Sequence, residues 1–248
     1  GRFLIQTHNG DRFWGDLKKW DGEQVLIDST GFGSLKLKPN QVRHVRKWGL
    51  DPKILYQGPR SIKEWDLIDE SYKWTIESGS LVTTENGAKI RGAVGLAERV
   101  QIDVRLSWNR QVNFLLALGV GKEQTNSGDA FSLEVWDNDK LALVRDVGAK
   151  TDATYLEQLD SKKAFIELTI FLDQIAGRAI VFSDRGKQLA DMTLASAKPK
   201  AQPCILLENY GRELRLDSIR VQPWNDQLPT ERTIGKKGDG SEEGSNVQ

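Results

Sequence analysis

Hydrophobic and polar residues alternate along most of this chain with a period of two. The clearest case lies within residues 164–194, where Ile166, Leu168, Ile170 and Leu172 are separated by single residues. A period of two is typical of a β-strand that is buried on one side. Two turns rich in Asp and Gly divide the segment, so it predicts three consecutive antiparallel strands.

Shorter segments with the same alternation recur and are separated by turn signals such as Asn-Gly. No segment keeps a helical apolar stripe over three turns, so no substantial helix is predicted. Two stacked antiparallel sheets are the natural way to bury so many one-sided strands. The additional strands are predicted near residues 74–76, 80–83, 88–91, 98–108, 112–120, 130–136, 140–147, 155–158, 205–209 and 214–223.

The first 50 residues form a unit of their own in the sequence pattern. Five short strands with tight turns in ~50 residues predict a small, strongly bent barrel of the SH3 or Sm type. Gly15 lies inside the second strand and predicts a bend or bulge there. The pattern Asn-Gly-Asp-Arg-x-x-Gly-Asp-Leu-x-x-Trp-Asp-Gly-Glu-x-Val-Leu-Ile resembles small barrel repeats beside sandwich domains in large planctomycete proteins.

The chain is accordingly divided into three parts: a small barrel at residues 1–50, a sandwich at 54–225 and a flexible linker at 226–248. Residues 48–59, rich in Gly and Pro, are predicted to be a connector. The linker prediction follows from the near absence of apolar side chains after residue 225. Because the sequence starts abruptly and without Met, we expect a fragment of a longer protein with neighbouring domains.

Residues 56–225 resemble the concanavalin A-like jelly-roll superfamily. The resemblance rests on Trp74-x-x-x-x-Gly-x-Leu, a long strand that ends Leu-Ser-Trp108, the string Gly-x-x-x-Val-Phe-x-x-x-Gly-x-x-Leu-Ala from Gly177, and a closing Ile-Arg-Val-x-x-Trp224. Within that superfamily the chain resembles laminin-G-like and bacterial 3-keto-disaccharide hydrolase-type domains. The resemblance implies an all-β, two-sheet antiparallel jelly-roll sandwich, and it brings no catalytic motif with it.

Composition excludes several classes. The 248 residues carry 35 basic and 35 acidic side chains, so there is no global preference for nucleic acid or an anionic membrane. No apolar run approaches the roughly 18 residues of a membrane span. Cys204 is the single cysteine, so no intrachain disulfide can form, and we predict a buried, inert thiol.

Catalysis has little support in the sequence. The two histidines, His8 and His44, lie outside the sandwich, and no nucleophile elbow is present. A carboxylate pair, as in glycoside hydrolases, needs only two acidic residues across a cleft. The nearest string is residues 132–137, in which Glu134 and Asp137 fall on opposite faces; we interpret Glu134 as a partner for an Arg or Lys across the sheet.

Tryptophans at strand ends are candidates for carbohydrate binding, because indole rings stack on the apolar faces of sugars while nearby polar groups take the hydroxyls. Trp108 and Trp136 each end a predicted strand. The alternative is that both fill or seal the core, as expected for Trp65, Trp74 and Trp224. The candidate ligand-binding residues, predicted to share one outer face, are Arg105, Trp108, Glu134 and Trp136.

Loop side chains with oxygen atoms offer a second candidate, a structural calcium ion at one rim of the sandwich. The alternative is hairpin chemistry, since tight turns use Asx residues and the spacing of a calcium-binding loop is missing. The candidate metal ligands are Asn126, Asp129, Asp137 and Asp139.

Residues 43–47 form a basic cluster, and the first 50 residues hold nine basic against five acidic side chains. Small barrels sometimes bind nucleic acid, but no aromatics are interleaved here, so no nucleic-acid partner is expected. A solvated strand end and a docking contact with the sandwich are the alternatives that remain open.

Together these observations favour a non-catalytic binding, adhesion or assembly module of a larger extracytoplasmic bacterial protein, with a carbohydrate or protein ligand. The alternatives are a glycoside-active enzyme of the 3-keto-disaccharide hydrolase type and a structural spacer domain.

Overall fold

The computed structural model describes residues 2–8, 10–29, 31, 33–47, 54–148, 150–160, 163–193, 201–225 and 228, with residues 2, 46 and 47 described by their backbone alone. The predicted domain boundary at residue 50 and nearly all of the predicted linker lie outside these ranges.

The N-terminal residues form a separate five-stranded antiparallel sheet in the order β4-β3-β2-β1-β5. Its core consists of Ile5, Val25, Ile27 and Val42. Among the described residues no ladder joins β4 to β5, so closure into an SH3 or Sm type barrel stays a prediction. The strands are β1 (Arg2–Thr7), β2 (Arg12–Trp20), β3 (Val25–Ser29), β4 (Gly33–Leu37) and β5 (Val42–Lys47).

Gly15 allows β2 and β3 to approach each other closely. A Cβ atom at this position would lie 2.5 Å from the carbonyl oxygen of Asp28 and 2.6 Å from Cγ2 of Ile27. The irregularity that glycine predicted for this strand occurs two residues further on, as a register shift between Leu17 and Lys19.

The described residues contain no α-helix, and their helical segments are two short 3₁₀ turns, Pro39–Gln41 between β4 and β5 and Ile62–Glu64 in the sandwich. The strands are β6 (Tyr56–Gly58), β7 (Trp65–Leu67), β8 (Thr75–Glu77), β9 (Ser80–Thr83), β10 (Lys89–Gly92), β11 (Arg99–Asn109), β12 (Phe114–Val120), β13 (Phe131–Trp136), β14 (Lys140–Val147), β15 (Lys150–Gln158), β16 (Phe165–Asp173), β17 (Arg178–Ser183), β18 (Gln188–Thr193), β19 (Cys204–Asn209) and β20 (Glu213–Pro223).

These strands build two antiparallel sheets, which confirms the predicted all-β sandwich. One sheet has the order β15-β14-β13-β12-β19-β10-β7, and the other has the order β18-β17-β16-β11-β20-β9-β8, with β6 paired to β20. A single apolar core lies between them and takes every second residue of most strands. The β16–β18 meander is as predicted, because Ile166, Leu168, Ile170 and Leu172 all enter this core.

One prediction about the connector is wrong. Residues 56–58 lie within the predicted connector 48–59 but form β6, which pairs with Val221, Arg220 and Ile219 of β20. Gly58 and the following Pro59 are local turn signals, whereas the strand that pairs with β6 lies some 160 positions further along the chain. Residues 48–53 lie outside the described ranges.

The N-terminal sheet contacts the sandwich through Arg43. Its Nε and Nη2 donate to the carbonyl of Asp184 (3.0 and 2.8 Å), and Nη2 also donates to Glu167 (3.1 Å). His44 Nε2 lies 3.1 Å from the same carbonyl. Arg43 of the basic cluster therefore docks on the sandwich and is not part of a solvated strand end. The side chains of residues 46 and 47 lie outside the described set.

The outer face of the eight-stranded sheet is thus partly covered. Glu167, which receives Arg43, also accepts from Arg105 Nη1 (2.6 Å) on the neighbouring strand. Further along this face Trp224 packs on a second apolar cluster with Phe171, and Leu228 packs against that cluster.

Candidate functional site

The outer face of the seven-stranded sheet carries the most distinctive group of side chains. On β13, Leu133 and Val135 enter the core, so Ser132, Glu134 and Trp136 point the other way. The alternation Ser-Leu-Glu-Val-Trp therefore places a carboxylate and an indole next to each other outside the core.

A second glutamate lies two strands away in the same row. Glu134 on β13 faces Leu115 on β12, Leu115 faces Glu208 on β19, and Glu208 faces Lys89 on β10. With strands ~4.8 Å apart, the Cα atoms of the two glutamates are separated by roughly 10 Å. Leu115 forms the apolar floor between them.

The two glutamates have different partners. Glu208 is buried, 4% exposed, and its Oε1 lies 2.9 Å from Lys89 Nζ. Glu134 accepts from Ser132 Oγ (2.6 Å) and from Trp136 Nε1 (3.3 Å), which are neutral donors. The interpretation of Glu134 as the partner of a cation across the sheet is wrong, because its cross-strand neighbours are Leu115 and an alanine.

Tyr210 lies close enough to both carboxylates for their charges to act on its phenol. It follows β19 directly, and its backbone N–H donates to the carbonyl of Asn113 (2.8 Å). Burial raises the pKa of the Tyr210 phenol, and a hydrogen bond to Glu208 and the negative charges of Glu208 and Glu134 raise it further. The phenol therefore stays protonated and able to donate well above neutral pH.

Three exposed aromatic rings lie on the same sheet face as this pair of glutamates. Trp136 is 45% exposed, Tyr155 53% and Tyr210 39%. Tyr155 on β15 faces Ala142, which in turn faces Glu134, so it lies on the same side of the sheet. Large apolar rings left open to solvent beside polar groups mark a ligand surface more often than they mark stability. We call Lys89, Leu115, Glu134, Trp136, Tyr155, Glu208 and Tyr210 the Glu134 face.

A cleft of about 430 Å³ adjoins the Glu134 face at its Trp136 end. Most of its wall is polar, because the β13–β14 turn brings in Asp137, Asn138 and Asp139 and the segment before β12 brings in Gln111 and Asn113. A ligand stacked on Trp136 would therefore have amide and carboxylate groups within reach on one side.

The other end of the same sheet is closed. Arg91 is buried there between Asp66 Oδ2 (3.1 Å) and the carbonyl of Gln124 (3.0 Å). Next to it Leu206 and Cys204 belong to a small buried cluster on the outer side. Cys204 is buried as predicted, and burial raises the pKa of its thiol. The open part of this face is the Glu134 half.

The structure does not bring the four predicted ligand residues together. Trp108 is 5% exposed and lies in the core, so it fills the core and is not open to a ligand. Arg105 lies on the outer face of the other sheet, beside Glu167 and Asp217 (3.3 Å). Glu134 and Trp136 remain as neighbours on one face.

The four predicted metal ligands do not form one site. Asn126 and Asp129 precede β13, whereas Asp137 and Asp139 follow it. At ~3.3 Å per residue the six residues of β13 separate the pairs by roughly 20 Å, too far for one Ca²⁺ with ligands at about 2.4 Å. Among the described residues there is no group of three or more His, Cys, Asp or Glu placed to hold a metal ion.

Sequence reasoning missed Lys89, Tyr155, Glu208 and Tyr210. Part of the signal was present, since Cys204, Leu206, Glu208 and Tyr210 alternate with core residues in the same way as the β13 residues do. Their relation to Glu134 depends on β19 pairing with β12, which are more than 80 positions apart in the chain.

Comparisons with known proteins place the fold. No protein-family model and no curated protein sequence matches this chain. The legume lectin-like domain from Entamoeba histolytica has a similar structure, with a TM-score of 0.51 at 9% identity over 72% of this chain and 100% of that one. The exoplasmic/lumenal domain of VIP36, solved in a Ca²⁺/Man3GlcNAc-bound form, gives 0.50 at 12% identity over 76% and 93%.

A structure from work on endo-acting O-glycanases of the human gut microbiota gives a TM-score of 0.50 at 13% identity, over 70% of this chain and 100% of that one. At such identities the likeness concerns the fold. The sandwich is a two-sheet antiparallel jelly roll, which confirms the predicted fold class. No helix in the described part of the chain is long and apolar enough to cross a membrane.

Proposed function

We propose that this protein is a carbohydrate-binding module whose ligand lies on the Glu134 face. The observation that carries the proposal is the presence of three solvent-open aromatic rings, Trp136, Tyr155 and Tyr210, around Glu134 on one sheet face. Sugar rings present apolar faces to aromatic side chains, and their hydroxyls need acceptors such as carboxylates.

The fold agrees with the proposal without proving it, because one fold hosts many functions. Structures with this fold include a lectin-like domain and a sugar-bound luminal domain. A role outside the cytoplasm, as an adhesion or assembly module of a larger bacterial protein, is part of the same proposal, as is the SH3 or Sm type of the N-terminal unit.

A glycan array followed by titration calorimetry of the hits tests the proposal. We expect selective binding by the full chain and a roughly 10- to 30-fold loss of affinity in Trp136→Ala, as for a tryptophan at the centre of an interface. Trp14→Ala is the matched control, because Trp14 is 46% exposed but lies on the N-terminal sheet. An equal loss in both variants, or silence across the array, would refute the proposal. Parallel measurements with Ca²⁺ and with EDTA test the calcium ion that was predicted from the sequence.

The pair of glutamates favours a second candidate, glycoside hydrolysis. Glycosidases place two carboxyl groups about 5–10 Å apart across the scissile bond. Glu134 and Glu208 flank Leu115, with their Cα atoms roughly 10 Å apart. Chromatography of array hits after long incubation with the protein would show cleaved products if the protein is a glycosidase. These products should disappear in Glu134→Gln and in Glu208→Gln. If the ligand stays intact in every sample, the second candidate is refuted and carbohydrate binding remains.

A further inference from the structure

Glu134 is a carboxylate without a cation in the described part of the chain. Its two oxygens accept from Ser132 Oγ and Trp136 Nε1, and its neighbours across the sheet are Leu115 and Ala142. A carboxylate offers about four acceptor positions, so two neutral donors leave room for further donors from outside.

Glu208 differs in this respect. Lys89 lies 2.9 Å away and compensates its charge, and burial leaves little of it open to solvent. The charge of Glu208 is therefore neutralised within the protein, whereas the negative charge of Glu134 is available to a ligand.

Two aromatic rings lie close to the uncompensated charge. The indole of Trp136 contacts Glu134 directly, and Tyr210 is close enough for the charge of Glu134 to act on its phenol. Aromatic faces attract cations, and a carboxylate beside them adds a charge-assisted hydrogen bond. Asp137 and Asp139 at the adjoining cleft add negative charge, which Lys140 offsets only in part.

We infer that the sugar bound on the Glu134 face carries a protonated amino group, as in a 2-amino-2-deoxyhexose unit, and that acidic sugars are rejected. The inference rests on the proposed function and names the ligand class of the same face. The ammonium group would donate to Glu134 and lie against Trp136, while the sugar ring covers Leu115.

Titration calorimetry with two oligosaccharides of equal length tests the inference. One is a fully deacetylated glucosamine oligomer and the other is its N-acetylated counterpart, which is the same chain without the positive charge. We expect the full-length protein to bind the deacetylated oligomer about tenfold more tightly at low salt, with the difference shrinking as salt is added. Glu134→Gln should remove the preference while both oligomers still bind, and Glu23→Gln, an exposed glutamate in the β2–β3 turn, should leave it unchanged.

The outcomes separate the two proposals. Equal or tighter binding of the acetylated oligomer, or a preference that survives in Glu134→Gln, overturns the inference and leaves carbohydrate binding in place. Binding of neutral or acidic array glycans without any binding of the deacetylated oligomer also overturns the inference and leaves carbohydrate binding in place. If no glycan binds at all, both proposals fall.

Discussion

Replacing Gly15 by alanine should unfold the N-terminal sheet selectively. The new Cβ would meet the Asp28 carbonyl oxygen at 2.5 Å and Ile27 Cγ2 at 2.6 Å, where carbon contacts normally lie at about 3.5–4.0 Å. Because one obstacle is backbone, β2 and β3 must separate by about 1 Å and weaken their ladder. Overpacking of this kind costs about 1–3 kcal/mol, and we expect the upper half of that range.

The same free energy matters more here than it would in the sandwich. The N-terminal sheet has four buried apolar side chains in its core among its described residues, and units below ~60 residues are marginal. A loss of ~2–3 kcal/mol would raise its unfolded population by about 30- to 150-fold. The large core between the two other sheets does not touch Gly15 and should keep its stability.

Hydrogen exchange measured by mass spectrometry resolves the two units. Peptides from residues 2–47 should exchange faster in Gly15→Ala by about the same 30- to 150-fold, whereas peptides from β11–β14 should be unchanged. Gly22→Ala is the matched control, because a Cβ at Gly22 would meet nothing within 4 Å. Unchanged protection of β2 and β3 in Gly15→Ala would refute the close approach, and equal loss in the sandwich would refute its independence.

Three further perturbations test the packing. Leu133→Ala, at a fully buried position, should lower the free energy of unfolding measured in urea by about 2–5 kcal/mol. Leu67→Ala, at an exposed position, should lower it by less than about 1 kcal/mol, and similar losses in the two variants would contradict the core assignment. Arg43→Met should weaken docking of the N-terminal sheet by about 1–2 kcal/mol and increase the radius of gyration in small-angle scattering, and an unchanged radius would count against the contact. Burial, aided by hydrogen bonds to glutamates, raises the pKa of Tyr56 and Tyr210, so the unfolded chain loses these protons near pH 10 before the folded chain does. Stability should therefore be complete below about pH 10 and fall above it, and the Phe variants should flatten that fall in urea unfolding, whereas a fall as steep as in the unsubstituted protein would exclude these phenols as its cause.

The fold was predictable because alternation is a local signal. Ile166, Leu168, Ile170 and Leu172 identify their strand and its buried face without reference to any other part of the chain. β6 was not predictable in the same way, because a three-residue strand next to Pro59 has no room for a period. Its partner strand, β20, is distant in sequence.

The site was predictable in part. Glu134 and Trp136 are two residues apart on one strand, so they had to share a face. Arg105 and Trp108 are three apart on one strand, and the same rule places them on opposite faces; the prediction that both lie on one outer face conflicts with that parity. The structure resolves the conflict by placing Trp108 in the core.

Glu208 and Tyr210 illustrate what a single sequence does not contain. Strand β19 inserts between β12 and β10, so residues after Cys204 become neighbours of Leu115 and Lys89. No spacing rule connects strands so far apart in the chain. The contrast between a neutralised and an uncompensated glutamate arises only from this pairing.

The asymmetry of the two outer faces is the strongest argument about where a ligand binds. On the eight-stranded sheet Glu167 already receives both Arg43 and Arg105, and the apolar cluster is packed by Trp224. On the seven-stranded sheet, rings and a carboxylate remain open although the same sheet buries Arg91 at its other end. A face that merely separated domains would gain nothing from exposed tryptophan and tyrosine, whose burial stabilises and whose exposure does not. The open aromatic rings beside Glu134 therefore point to binding more than to a spacer role, and they point to this face more than to the other.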